Sequence, residues 1–206
     1  MFRTAAIALA AGLMLTGCHG TARTGGGRPA FRGHVLGTPL SKPEFTLTAT
    51  DGKPFDFRRE TDGYLTLVYF GYTHCPDICP VHMANLGAVI PQFPPSVSDR
   101  IKVIFITTDP ARDSLTVLRR WLDNFDRKFI GLRGPIDSVN AIQRAMGLPE
   151  AVIEQRDSSG GYTVGHSATV VAFTPDNKER VLYPFGTRQE DWAHDLPKLL
   201  KTWPHS

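Results

Sequence analysis

Two apolar runs constrain this chain more than any other feature: "YLTLVYF" (64–70) and "IKVIFIT" (101–107). Both are dense in β-branched and aromatic residues, as strands buried on two faces are. Between them Met83, Leu86, Val89 and Ile90 recur at helical spacing. Strand, helix and strand in that order predict a parallel pair joined by a right-handed crossover.

The flanking sequence extends this unit. From about Pro43, "FTLTATDGKPFDF" alternates on both sides of Asp51-Gly52, a hairpin signal. "SLTVLRRWLDNF" (114–125) predicts a second helix, with Asp113 placed as its N-cap. Then come "FIGL" (129–132), a helix near 136–146, and "HSATVVAFTPDNKERVLYPF", read as two strands around Pro175-Asp176-Asn177. A last helix spans 188–201 and is interrupted by Pro197. The expected fold is α/β: a thioredoxin-like central mixed sheet flanked by helices, with an N-terminal β-hairpin and an insertion. There is no internal repeat.

The N-terminus, "MFRTAAIALAAGLMLTGCHG", has one early arginine and then an apolar and small-residue run from Thr4 to Leu15. That run is too short for a membrane span, which takes about 20 apolar residues, but it fits a secretory signal. "LTGC" resembles a bacterial lipobox, in which Cys18 is acylated after removal of residues 1–17. Residues 18–42 are then an acylated N-terminus and tether, and 43–206 the folded domain. The tether reading rests on six glycines and no apolar periodicity in 19–40. Its Arg23, Arg28 and Arg32 face solvent or touch anionic headgroups. The protein is expected to be exported, with its domain in the periplasm or on the outer face of a bacterial membrane. A formal net charge of +3 on 206 residues gives no argument for nucleic acid as a partner.

With Cys18 assigned to lipid, Cys75 and Cys79 in "GYTHCPDICP" are the remaining thiols. A bridge over so short a loop is a poor staple, because cross-link stabilisation grows with loop length. Function is the better account. The pair follows the carboxyl end of a central strand, where α/β sheets place their chemistry. Pro76 and Pro80 suit the first turn of a helix, with Asp77 as its cap. Thiolates are stabilised at a helix N-terminus. Residues four apart on a helical turn have Cβ atoms about 5–6 Å apart, so the two sulfurs can reach one ion or form a disulfide. Two thiolates favour Cu(I), with zinc second. A closed zinc site needs four ligands, whereas a three-ligand copper site needs one histidine beyond the thiols. His74, His82 and His166 compete for that place, with Met83 as an outside candidate. His19 and His34 lie in the tether, and His194 and His205 far along the chain. His166 opens a strand expected to run antiparallel to 65–70, which would bring it to the cysteine edge.

"GYTHCPDICP", "TTDPARDS" and "YTVGHSATVVAFTPD" together resemble the SCO/SenC family of copper chaperones for cytochrome oxidase assembly. The resemblance runs from about Pro43 to Trp203. It implies a thioredoxin-like fold and one copper ion, Cu(I) or Cu(II), held by Cys75, Cys79 and His166. It also implies delivery to the dinuclear copper centre of cytochrome c oxidase subunit II, or reduction of that centre's cysteines. A copper donor chaperone and a thiol reductant are the further partners. The family's DP-x-RD pattern falls on Asp109, Pro110, Arg112 and Asp113, which read as a turn and helix cap. Acylation at Cys18 differs from the transmembrane anchor of many relatives. Acquisition and release by ligand exchange would make the protein a carrier, not an enzyme. Two other readings stay open: a thiol–disulfide oxidoreductase using Cys75 and Cys79 alone, and a peroxidase of peroxiredoxin type.

Overall fold

The computed structural model describes residues 30–156 and 161–205. The proposed signal segment and Cys18 lie outside the described residues. Among those described, no helix is long and apolar enough to cross a membrane.

The described residues form ten strands and six α-helices. β1 (His34–Ser41), β2 (Thr46–Ala49) and β3 (Pro54–Asp56) precede the short α1 (Phe57–Glu60). β4 (Leu65–Gly71), α2 (Ile78–Val89), a short α3 (Pro95–Ser98) and β5 (Ile101–Thr107) form the predicted crossover unit. α4 (Leu115–Leu122), β6 (Ile130–Arg133) and α5 (Ile136–Ala145) follow. β7 (Val152–Arg156), β8 (Tyr162–Gly165), β9 (Val170–Thr174), β10 (Lys178–Tyr183) and α6 (Gln189–Thr202) complete the order. Eight strands make one mixed sheet in the order β1-β10-β9-β4-β5-β6-β2-β3, and β7 and β8 pair as a separate ribbon.

β4 sits at the centre because every one of its residues is buried. It pairs parallel with β5 and antiparallel with β9, with Leu67 opposite Ala172. Alternation then sends side chains to two cores. Leu65, Leu67 and Tyr69 join Val103, Phe105, Met83, Leu86, Leu118 and Trp192 on one face. Val68 and Phe70 join Ile104, Ile106, Val139 and Phe173 on the other. Helices α2, α4 and α6 cover the first face and α5 the second, a three-layer arrangement that buries both sides of a parallel unit.

The structure corrects several expectations. Residues 34–41 are not tether but edge strand β1, paired antiparallel with β10. Its register shifts between Val35 and Leu40, and it is mostly exposed. A bulged edge strand carries no clean apolar alternation, so its sequence looks like linker. The preceding residues are docked too. Arg32 N–H and Gly33 N–H donate to the buried Asp195 carboxylate, at 2.8 and 3.0 Å, and Phe31 stacks on Trp203. A Cβ on Gly33 would lie 2.5 Å from the Tyr183 ring, so only glycine fits there. Asp113 is not the cap of α4; Ser114 is, accepting from Val117 N–H at 3.2 Å. Asp77 precedes α2 without a side-chain cap bond. Helix α6 runs through Pro197 instead of breaking there. The β7–β8 ribbon was not among the expected elements.

Candidate metal centre

β4 ends at Gly71, and the chain turns tightly, with Cys75 N–H donating to Tyr72 C=O at 3.2 Å. The turn is tied to the neighbouring strand. Thr108 N–H reaches Gly71 C=O at 2.7 Å. Buried Asp113 accepts from Thr73 N–H (3.0 Å), Thr73 Oγ1–H (2.6 Å) and Thr107 Oγ1–H (2.6 Å). Its place in the DP-x-RD pattern is therefore explained by the cysteine turn it braces.

Half-buried Cys75 stands before α2, and buried Cys79 lies in its first turn. Cys79 N–H points at Cys75 Sγ, 3.5 Å away. A hydrogen bond from Cys79 holds the Cys75 thiol down at about 3, against its burial, with help from His166 and two backbone N–H groups. Burial pushes the Cys79 thiol up, and the neighbouring Cys75 thiolate adds to that. Cys79 takes further support from Tyr69, whose hydroxyl lies 3.7 Å from Sγ. Space for this sulfur comes from Gly71: a Cβ there would sit 2.7 Å from Cys79 Sγ and 3.1 Å from the Phe105 ring.

His166 reaches the pair from 87 positions away. Its Nε2 lies 3.4 Å from Cys79 Sγ, and its Nδ1 2.9 Å from the Ser167 carbonyl. A carbonyl only accepts, so Nδ1 is a donor and Nε2 is the nitrogen that faces the sulfurs, the orientation a metal-ligating imidazole uses. Edge-on contacts with Tyr69 and Tyr72, at 5.9 and 5.6 Å between centroids, hold the ring upright. The expected strand beginning at His166 starts later, at Val170. One ligand atom each from Cys75, Cys79 and His166 lie within 4.8 Å of one another, and no fourth Cys, His, Asp or Glu joins them among the described residues. Two soft sulfurs and an imidazole fit a single copper ion, and three ligands fall short of a closed zinc site. A groove of about 420 Å³ opens beside them, flanked by Tyr72, Ile78, Glu154 and Val164.

The competing candidates fall elsewhere. His74 is exposed and bonds Thr73 Oγ1 at 3.1 Å. Met83 is packed in the core. His194 and His205 pair with Asp195 and Asp62. His82 is buried against the Ala168 carbonyl. Sequence reasoning missed the second latch. Tyr162 O–H donates to Asp109 at 2.8 Å, and Arg112, ion-paired to Asp109, donates to Tyr162 C=O at 3.0 Å. The guanidinium also covers the Tyr162 ring at 3.6 Å. These bonds fasten the start of β8, the arm leading to His166. The turn signal at 157–161 between two short alternating runs was available for that ribbon.

The SCO1/SenC family profile matches residues 35–201. The chain belongs to the SCO1/SenC family. This SCO1/SenC chain is 32% identical over 149 residues to mitochondrial SCO2 of Saccharomyces cerevisiae, covering 72% of its own length and 48% of the yeast protein. It thus spans about half of that relative. Among solved structures, apo Sco1 from Thermus thermophilus superposes with a TM-score of 0.73 at 29% identity, over 83% of this chain and 98% of that one. Arabidopsis thaliana ScoI, solved with copper bound, gives 0.71 at 26% identity, over 80% and 100% of the two chains. The thioredoxin-like α/β fold is that of these SCO1/SenC neighbours.

Proposed function

We propose that this protein is an exported copper chaperone that carries one copper ion on Cys75, Cys79 and His166. It delivers that ion to the dinuclear copper site of cytochrome c oxidase subunit II. The observation that carries the reading is the convergence of two sulfurs and one imidazole nitrogen within 4.8 Å. Family membership and copper-bound neighbours support it. Three ligands leave room for an incoming donor atom, so copper can pass to a partner by exchange without a bare-ion step. A copper donor chaperone loads the site and a thiol reductant keeps the pair reduced. Acylation of Cys18 tethers the domain to a bacterial membrane, since several acyl chains anchor where one is marginal.

Copper titration with X-ray absorption of the loaded protein tests this reading. The expected result is one copper per chain with two sulfur neighbours and one imidazole nitrogen. In His166→Ala the Cu(II) affinity should fall by well over about 100-fold, while the thiols stay redox-active. That magnitude exceeds the roughly 10–100-fold typical of losing an outer partner. Unchanged Cu(II) binding in His166→Ala would refute the assignment.

The unequal thiols favour one second reading. Cys75 is held as thiolate and Cys79 as thiol, the division of labour of an attacking and a resolving cysteine. A thiol–disulfide oxidoreductase that reduces the cysteines of the oxidase copper site would use the same pair. Retained oxidase maturation in His166→Ala would favour this second activity.

A further inference from the structure

We propose that His82 is a positioning residue that sets where His166 meets the cysteines. The inference rests on the copper reading above and extends it to a residue that touches neither sulfur nor metal.

His82 sits one turn after Cys79 on α2 and is 1% exposed. Its Nε2 lies 3.1 Å from the carbonyl oxygen of Ala168, 86 positions away and two residues past His166. The carbonyl can only accept, so Nε2 is the protonated nitrogen. Nδ1 is then bare, and it finds no hydrogen-bond partner among the described residues. Leaving a buried polar atom unpaired is costly. Packing alone would be served better by an apolar side chain of similar size. What the imidazole supplies that such a residue could not is the bond to Ala168.

That bond falls where the backbone has little else. Residues 166–169 belong to no helix or strand, between β8 and β9. At the far end of the arm Arg112 and Asp109 grip Tyr162. At the near end His82 grips Ala168. Its ring is also wedged between Tyr69 and Phe185, at 5.0 and 5.9 Å, and Tyr69 in turn abuts His166. A single helix therefore carries one ligand, Cys79, and the bracket that holds the segment bearing another. The 3.4 Å separation between Cys79 Sγ and His166 Nε2 is spanned by α2 from Cys79 to His82, one hydrogen bond to Ala168, and the backbone from Ala168 to His166.

Two variants of the whole chain separate positioning from packing. His82→Phe keeps a buried ring and removes the donor; His82→Gln restores an N–H donor at similar reach. The first measurement is amide hydrogen exchange across 166–169 in the metal-free protein. Phe should speed it about tenfold or more, and Gln should return it close to wild type, because local opening follows the bonds that hold a segment. The second is Cu(II) affinity by competition, with the electron paramagnetic resonance signature of the nitrogen ligand. Phe should weaken binding about 10–100-fold and alter the spectrum, as loss of an outer-shell partner does. Unchanged exchange in the Phe variant overturns the proposal. So does a Gln variant as loose as Phe, which would assign the residue to packing. Faster exchange at 166–169 in a protein that takes up no Cu(II) even as wild type would sink the copper reading and leave the positioning role standing.

Discussion

Gly71 shows how a single atom shapes the centre. The strand carrying it must pass close beneath a buried sulfur, and any side chain would enter the space that Cys79, Tyr69 and Phe105 already fill. The phenol and the thiol are held neutral by burial. Gly71→Ala is expected to cost about 1–3 kcal/mol, the usual range for overpacking a core. It should also weaken copper binding, because Cys79 must move to make room. Urea denaturation of the variant beside a copper titration checks both. A variant with wild-type stability and affinity would show that the strand relaxes freely.

Among the elements, the N-terminal segment and α6 depend on each other through Asp195. This buried carboxylate accepts from two backbone N–H groups of the segment and from Tyr183 O–H at 2.9 Å. Hydrogen bonds to a charged acceptor contribute about 1.5–3 kcal/mol each, and stranded donors lose more than the bond itself. Asp195→Ala is expected to destabilise the domain by about 3 kcal/mol or more by that reckoning and to free residues 30–33. Limited proteolysis should then cut at Phe31 well before the fold melts. Equal resistance in variant and wild type would mean that Phe31 on Trp203 suffices. The same elements mark the limit of sequence reading. β4, α2 and β5 were legible because strands buried on both faces read as unbroken apolar runs and α2 repeats buried residues at helical spacing. β1 was not, since a bulged edge strand shows the core only scattered side chains. Cys75 and Cys79 announced themselves by spacing. His166 needed the family resemblance to prevail over His74 and His82, because burial and ring direction are set by contacts more than 80 positions away. The loop-bracing role of Asp113 was hidden likewise, because Thr73 comes beside it only in the folded chain, from 40 positions away.

For the molecule as a whole, one buried acid makes its own contribution to how stability follows pH. Glu179 is 1% exposed, one of its oxygens is unpaired, and burial raises its carboxyl from 4.5 to about 7. Between those values the unfolded chain has released this proton and the folded chain retains it, so the contribution of Glu179 to stability falls as pH rises from about 4.5 to 7. Above that the penalty is complete, about 3 kcal/mol at 1.36 kcal/mol per unit. Glu179→Gln should therefore be more stable than wild type above pH 7, with the advantage fading to nothing near pH 4.5. Cys75, held at about 3, acts across the same window with the opposite slope, and Lys42, whose buried amine is lowered to about 7, does so at higher pH. Both cancel in the difference between Glu179→Gln and wild type, which isolates Glu179. Denaturation midpoints across pH 4 to 8 measure the difference; a constant offset would contradict it.

The thiols are neighbours along the chain, whereas the imidazole arrives only when distant segments meet. A nascent polypeptide in oxidising surroundings can thus be cross-linked at Cys75 and Cys79 while it is still incapable of holding cargo. Loading therefore waits for collapse, and wherever the cross-link has formed it waits for regeneration of the dithiol as well.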